Sequence, residues 1–211
     1  MSLVLRQRDR ERGVLVLTLN RAEQRNALSK PLLLELDKAL QDAAADSTVN
    51  CIVITGAGQR AFSAGADIRE QTKFTPNDAY EHMRWGQDLF DRLARLNKPT
   101  IAAINGFALG GGLELALACD IRTASASAHL GLPEVTLASL PGWGGTQRLA
   151  RLIGASEAKL VAMTGRRLDA QRCLALGLVN AVHPADELLT QTLALAGAIA
   201  WNAVESLQAI K

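Results

Sequence analysis

Residues 105–120 read NGFALGGGLELALACD. Three consecutive glycines, Gly110, Gly111 and Gly112, stand directly before an apolar run, and one carboxylate, Glu114, sits inside that run. A helix leaves its first backbone N–H groups without intrahelical partners and carries partial positive charge at that end. Glycine lets another molecule approach such a backbone closely. A strand, a glycine triplet and a helix start therefore make a place for negative charge, permanent as on a phosphate or transient as on an oxyanion. The phosphate readings are weak. GGGLEL lacks the Gly-Lys-Ser/Thr ending of a P-loop, and GFALGGG has neither the GxGxxG order nor an acidic residue at the ribose-binding distance. Tight helix–strand packing is the competing reading of the triplet.

Outward from this stretch, strands and helices alternate. GVLVLTLN (13–20), NCIVITGAG (50–58) and KPTIAAING (98–106) read as short apolar strands ended by turn residues. Between them, SKPLLLELDKALQDAAAD (29–46) predicts a helix with Ser29 as cap, Pro31 in the first turn and leucines at helical spacing. DAYEHMRWGQDLFDRLARLN (78–97) predicts a second, amphipathic helix. DIRTASASAHLGLPE (120–134) holds two β-like pieces, and from Gly142 onward the chain reads mostly helical, broken by a strand expected at LVNAV (178–182). Alternation of this kind predicts an α/β fold with much parallel pairing.

A length of 211 residues suffices for one domain with a substantial core. The net charge of +2 gives no electrostatic reason to expect nucleic acid or an acidic membrane surface. The three cysteines form no CxxC pair, which argues against a disulfide framework or zinc site and for a reduced, cytoplasmic setting. No apolar run approaches the length of a membrane span. No cluster of His, Cys, Asp and Glu has metal-ligand spacing, so no metal is expected.

Two further stretches carry chemistry. AFSAGADIRE (61–70) again places small residues and glycine between a strand and helix-like sequence. Two such loops can aim one N–H each at the same oxygen, and a carbonyl held between two donors is polarised so that its enolate is favoured over its ground state. In HLGLPEVTLASLPGWGGTQRL (129–149), Glu134 follows Pro133 at a helix start. Glu114 and Glu134 both lie among mostly apolar neighbours. Two carboxylates sharing a partly dry site do not both ionise readily, which leaves one as acid and one as base. The plainer alternative is that each is an ordinary acid in the first turn of a helix.

Taken together, LNRAEQRNALS, AFSAGADIRE, KPTIAAINGFALGGGLELALACD, LGLPEVTLASLPGWGGTQRLARLIG and TGRRLDAQRCLALGLVNAV closely resemble the enoyl-CoA hydratase/isomerase (crotonase) family, in the family's order and over nearly the whole chain. The resemblance implies a crotonase-like spiral of ββα units with surrounding helices, assembled as a trimer or a dimer of trimers. It implies an acyl-CoA thioester as substrate and no separate cofactor, since coenzyme A arrives as part of that substrate. By resemblance the N–H groups of Ala66 and Gly111 form an oxyanion hole, Glu114 activates water for attack at C3, and Glu134 supplies the proton to C2. The backbone around Arg25, Ala27, Leu28, Ala64, Asp67 and Ile68 is expected to cradle coenzyme A, with Arg25 and Asp67 alternatively fixing their loops. Trp143 is expected either to border the acyl pocket or simply to pack.

The resemblance also sets rival readings. Double-bond isomerisation and hydration of a dicarboxylic enoyl-CoA are the nearest, and a non-catalytic family member is the most distant. His82, His129 and His183 are single histidines and carry no assigned role. An RNA-binding branch of the family uses a lysine-rich helix; the comparable segment here, LLLELDKALQDAAAD, is net acidic, which disfavours nucleic acid. Family members continue for several tens of residues beyond WNAVESLQAIK, and Lys211 falls in a helix-like pattern without a stop signal. The expected organisation is a spiral core over 1–190 and, over 191–211, the start of a truncated C-terminal helical region.

Overall fold

A computed structural model of the chain describes residues 2–72 and 74–211. The elements begin with β1 (Val4–Asp9), β2 (Val14–Leu19), α1 (Lys30–Ala45), β3 (Cys51–Gly56), β4 (Ala61–Ser63), α2 (Ile68–Gln71) and α3 (Pro76–Ala94). They continue with β5 (Thr100–Ile104), β6 (Phe107–Leu109), α4 (Gly111–Ala118), β7 (Ile121–Ser125), β8 (His129–Gly131), α5 (Gly145–Ile153) and α6 (Ala155–Thr164). The last are β9 (Arg167–Asp169), α7 (Ala170–Ala175), β10 (Ala181–His183), α8 (Leu188–Ala200) and α9 (Val204–Ile210).

Six strands form one sheet in the order β1-β2-β3-β5-β7-β10, and four form another in the order β4-β6-β8-β9. From β2 to β10 the large sheet is parallel, with β1 antiparallel at its edge. In the small sheet β4, β6 and β8 are parallel and β9 runs against β8. The chain thus repeats one step: a strand of the large sheet, a strand of the small sheet, then helix. The turns starting at β3, β5 and β7 lie side by side, which is the spiral of ββα units expected from the sequence.

The near-continuous apolar strands follow from burial on both faces of the large sheet. Leu15, Leu17, Leu19, Ile52, Ile54, Ala102 and Ile104 join the main core with Leu32 and Leu36 of α1, Leu89 and Phe90 of α3, and Leu113 of α4. The alternate residues Val14, Val16, Cys51, Val53, Ile101 and Ala103 face the other way and are closed by Ala196 and Ala200 of α8. That helix spans positions 190 and 191, where the core was expected to give way to a further region, and packs on β2, β3, β5 and β7. Among the described residues no single helix is long and apolar enough to cross a membrane.

The local signals read as expected in several places. Ser29 Oγ accepts from Leu32 N–H at the start of α1. The helix expected from Asp78 starts at Pro76, because Thr75 and Asp78 form a reciprocal capping box. Glu134 opens a single 3₁₀ turn, Glu134–Leu137, and not a longer helix, because Ala138 ends it with φ 52°. The strand expected at 178–182 lies at Ala181–His183; Leu178 and Val179 are core residues, and pairing with β7 begins only at Ala181.

Candidate active site

The glycine triplet sits where the small sheet feeds α4. Gly110 has φ 52° and ψ −127°, a conformation that residues with a side chain rarely adopt. A Cβ there would come within 2.8 Å of Glu134 Oε1. Gly111 opens α4, so its N–H has no intrahelical acceptor. A Cβ on Gly111 would lie 3.2 Å from Ala66 N, and one on Gly65 would lie 3.3 Å from Gly111 N. The N–H groups of Ala66 and Gly111, both named from the sequence, are therefore brought together. Among the described residues neither donates to a protein acceptor.

The two segments expected to cradle coenzyme A are joined backbone to backbone. Ala64 N–H donates to Arg25 O at 2.9 Å, Leu28 N–H to Gly65 O at 2.8 Å, and Asp67 N–H to Leu28 O at 3.2 Å. Arg25 is exposed and Ile68 is 59% exposed, whereas the side chain of Leu28 belongs to the core. Asp67 is buried and fixes its loop: it takes Arg21 Nη1 at 3.0 Å and Arg69 Nε at 3.3 Å, and caps α2 through Arg69 N–H. Burial pushes its carboxyl up, but the hydrogen bonds from Arg21 and Arg69 outweigh that and hold it below the ordinary range. Arg21 also donates to Ala27 O, so the same side chain ties both segments. Asn26 was not singled out from the sequence. It is fully buried at φ 54°, accepts from Arg21 N–H through Oδ1 and donates to Ala57 O and Ala61 O. Its signal was its residue type, since Asn tolerates left-handed backbone.

Glu114 lies one turn into α4 and is 2% exposed. Its Oε1 accepts N–H bonds from Trp143 and Gly145, each 2.8 Å. Burial pushes its carboxyl up, and the nearby charge of Glu134 adds to this; the two N–H bonds pull the other way, and the balance stands at about 7. Glu134 is also raised by burial, and its Oε2 is shut off from solvent with no hydrogen-bond partner among the described residues. Burial thus opposes ionisation at both carboxyls, which lets the pair share a proton.

Trp143 is both packed and adjacent to the donors. It is 3% exposed and meets Phe90 edge to face at 5.5 Å. A Cβ on Gly111 would lie 2.6 Å from its Cζ3, and one on Gly86 of α3 would lie 2.2 Å from its Nε1. The indole thus reaches from the helix start that carries the donor to α3. Among the described residues no group of three or more His, Cys, Asp or Glu side chains is arranged to hold a metal ion. Cys51, Cys119 and Cys173 are free and buried, and burial pushes each thiol up to about 12.

Comparison with known proteins identifies the family. The chain is 44% identical over 195 residues to a short-chain-enoyl-CoA hydratase of Clostridium acetobutylicum, covering 92% of this chain and 75% of the relative. It is 45% identical over 206 residues to a 2,3-dehydroadipyl-CoA hydratase of Escherichia coli, covering 96% and 78%. The crystal structure of an enoyl-CoA hydratase from Bacillus anthracis superposes with a TM-score of 0.93 at 40% identity, covering 98% of this chain and 80% of that one. Residues 9–211 match the family model described as enoyl-CoA hydratase/isomerase, and the chain belongs to that family.

Proposed function

We infer that the chain, an enoyl-CoA hydratase, adds water across the C2=C3 bond of a trans-2-enoyl-CoA with Ala66 and Gly111 as oxyanion donors and Glu114 and Glu134 as the proton-moving pair. The observation that carries this reading is the convergence of two N–H groups, without protein acceptors among the described residues, beside two carboxyls whose ionisation burial opposes. The thioester oxygen accepts both N–H bonds, which draws electron density from C3. Glu114 takes a proton from water as the water oxygen bonds to C3. The C2=C3 electron pair moves toward the thioester, and the resulting enolate takes a proton from Glu134 at C2. One C–O and one C–H bond form, the product is a 3-hydroxyacyl-CoA, and the proton lost by Glu134 is balanced by the one gained by Glu114.

The hydrogen bonds from Trp143 and Gly145 leave one oxygen of Glu114 for the water. The joined backbone of Arg25, Ala27 and Leu28 with Ala64, Asp67 and Ile68 supports the reading that this ledge receives coenzyme A. The short-chain and dehydroadipyl names of the relatives support a short enoyl group, straight or carboxylated. Family likeness supports assembly as a trimer or pair of trimers. The three free, buried cysteines support a cytoplasmic setting.

The test is hydration of crotonyl-CoA, followed by loss of the conjugated thioester absorbance. Glu114→Gln and Glu134→Gln are each expected to lower turnover by roughly 10²–10⁴-fold. Parental turnover in either variant would remove that glutamate from the mechanism.

A further inference from the structure

One polar atom close to the site is left over by the mechanism. His82 lies on α3, one turn before Gly86 and three residues before Trp85, so the three share a face of that helix. Its ring is enclosed by aromatic side chains: Phe74 at 5.2 Å, Trp143 at 5.4 Å and Trp85 at 6.2 Å between centroids. Nε2 is shut off from solvent and has no hydrogen-bond partner among the described residues. Leaving a buried polar atom unpaired is unfavourable, so Nε2, set among three aromatic rings and without a partner among the described residues, points to a hydrogen-bonding group brought by a bound molecule. Burial holds the imidazole below its ordinary value, while Glu70 and Lys30 act on it with opposite sign. The neutral ring that results offers one nitrogen as a donor and the other as an acceptor.

The path from the donors to His82 runs along Trp143. The indole edge at Cζ3 abuts Gly111, where the thioester oxygen is bound in the reading above, and the opposite edge at Nε1 abuts Gly86, one turn from His82. One indole therefore touches both the helix start that binds the thioester oxygen in that reading and the His82 ring, 5.4 Å away between centroids. Lys30 adds a cation nearby, its Nζ 6.0 Å from the Trp85 ring centroid.

We propose that His82 is the hydrogen-bonding group of the acyl pocket and selects enoyl-CoA substrates whose acyl chain carries an oxygen beyond the double bond, as a carboxylate or a hydroxyl. The proposal rests on the hydratase reading for the direction of the acyl chain, so its test is a binding measurement that does not need turnover. Hexanoyl-CoA, 6-hydroxyhexanoyl-CoA and adipyl-CoA are saturated, have the same chain length and differ only in the terminal group. Titration calorimetry on the parent should give at least about tenfold tighter binding for one or both oxygenated thioesters than for hexanoyl-CoA, the scale of one buried hydrogen bond. A gain for adipyl-CoA alone assigns a carboxylate, and a gain for both assigns any hydrogen-bonding oxygen. His82→Phe should bring the affinity ratio of the oxygenated thioesters to hexanoyl-CoA down to about one, and His82→Gln should keep part of that ratio. Equal or undetectable binding of the three by the parent, or a preference that survives His82→Phe, overturns the proposal and leaves Nε2 paired with water. Crotonyl-CoA turnover, measured separately, tests the hydratase reading on its own.

Discussion

At the scale of single residues, Asp67 and Glu114 show how partners decide the charge of a buried acid. Asp67 is 7% exposed and stays ionised because Arg21 and Arg69 hold it. Glu114 is 2% exposed, has only backbone donors and faces another acid, so its carboxyl is raised from 4.5 to about 7. The folded state therefore binds the proton more tightly than the unfolded chain does. This contribution to stability is fully present below the unfolded value and is lost as pH rises through about 7. A rise of that size corresponds to at most roughly 3 kcal/mol. Glu114→Gln keeps an oxygen for the N–H groups of Trp143 and Gly145 and removes the charge. Denaturant melts should show the variant more stable than the parent by roughly 1–3 kcal/mol at pH 8, with the gap shrinking toward pH 5. A gap that is the same at both pH values would show that Glu114 does not titrate in this range.

At the scale of elements, α4 carries the site and is anchored at both ends. At its start stands Gly110 and at its end the buried Arg122, whose Nη1 donates to Cys119 O at 2.8 Å and whose Nε donates to Leu178 O at 2.8 Å. Gly110→Ala adds a methyl against Glu134 and strains the backbone, so turnover should fall at least about 100-fold, the scale of one lost oxyanion donor. Gly177→Ala is the control: φ is also positive, +72°, but a Cβ there meets nothing within 4 Å, so it should cost about 1–2 kcal/mol of stability and leave turnover intact. Equal turnover in the two variants would separate the glycine loop from catalysis. The elements that carry this helix were legible where burial is one- or two-sided over several residues, as in β2, β3, β5, α1 and α3. The edge strand β1 was not, because only Val4 of VLRQRD is buried and the segment shows no apolar alternation. The three-residue strands β4, β6 and β9 have no period of their own and exist only through pairing across the small sheet. Within the site, the residue types and their loops were legible, but the bonds from Trp143 and Gly145 to Glu114 were not, because they join positions 29 and 31 residues apart.

At the scale of the whole molecule, the protein leaves apolar side chains open close to the site. Leu137 and Leu140 follow Glu134 and are 63% and 58% exposed, and Met163 on the neighbouring α6 is 71% exposed. Exposed apolar side chains of this kind suit contact with a second subunit, as the trimer proposed above requires. Light scattering on the purified chain should return three or six times the mass of one chain, and the mass of one chain would overturn the assembly. The large sheet has a different consequence, one of timing. Its back face, Val14, Val16, Cys51, Val53, Ile101 and Ala103, waits for α8, which is synthesised long after β5. At roughly 5–20 residues per second, the nascent chain carries an uncovered apolar sheet for several seconds while every residue of the candidate site has already left the ribosome. Chaperone engagement during synthesis should therefore end with the emergence of residues 188–200, well after the chemistry-bearing part of the chain has been made.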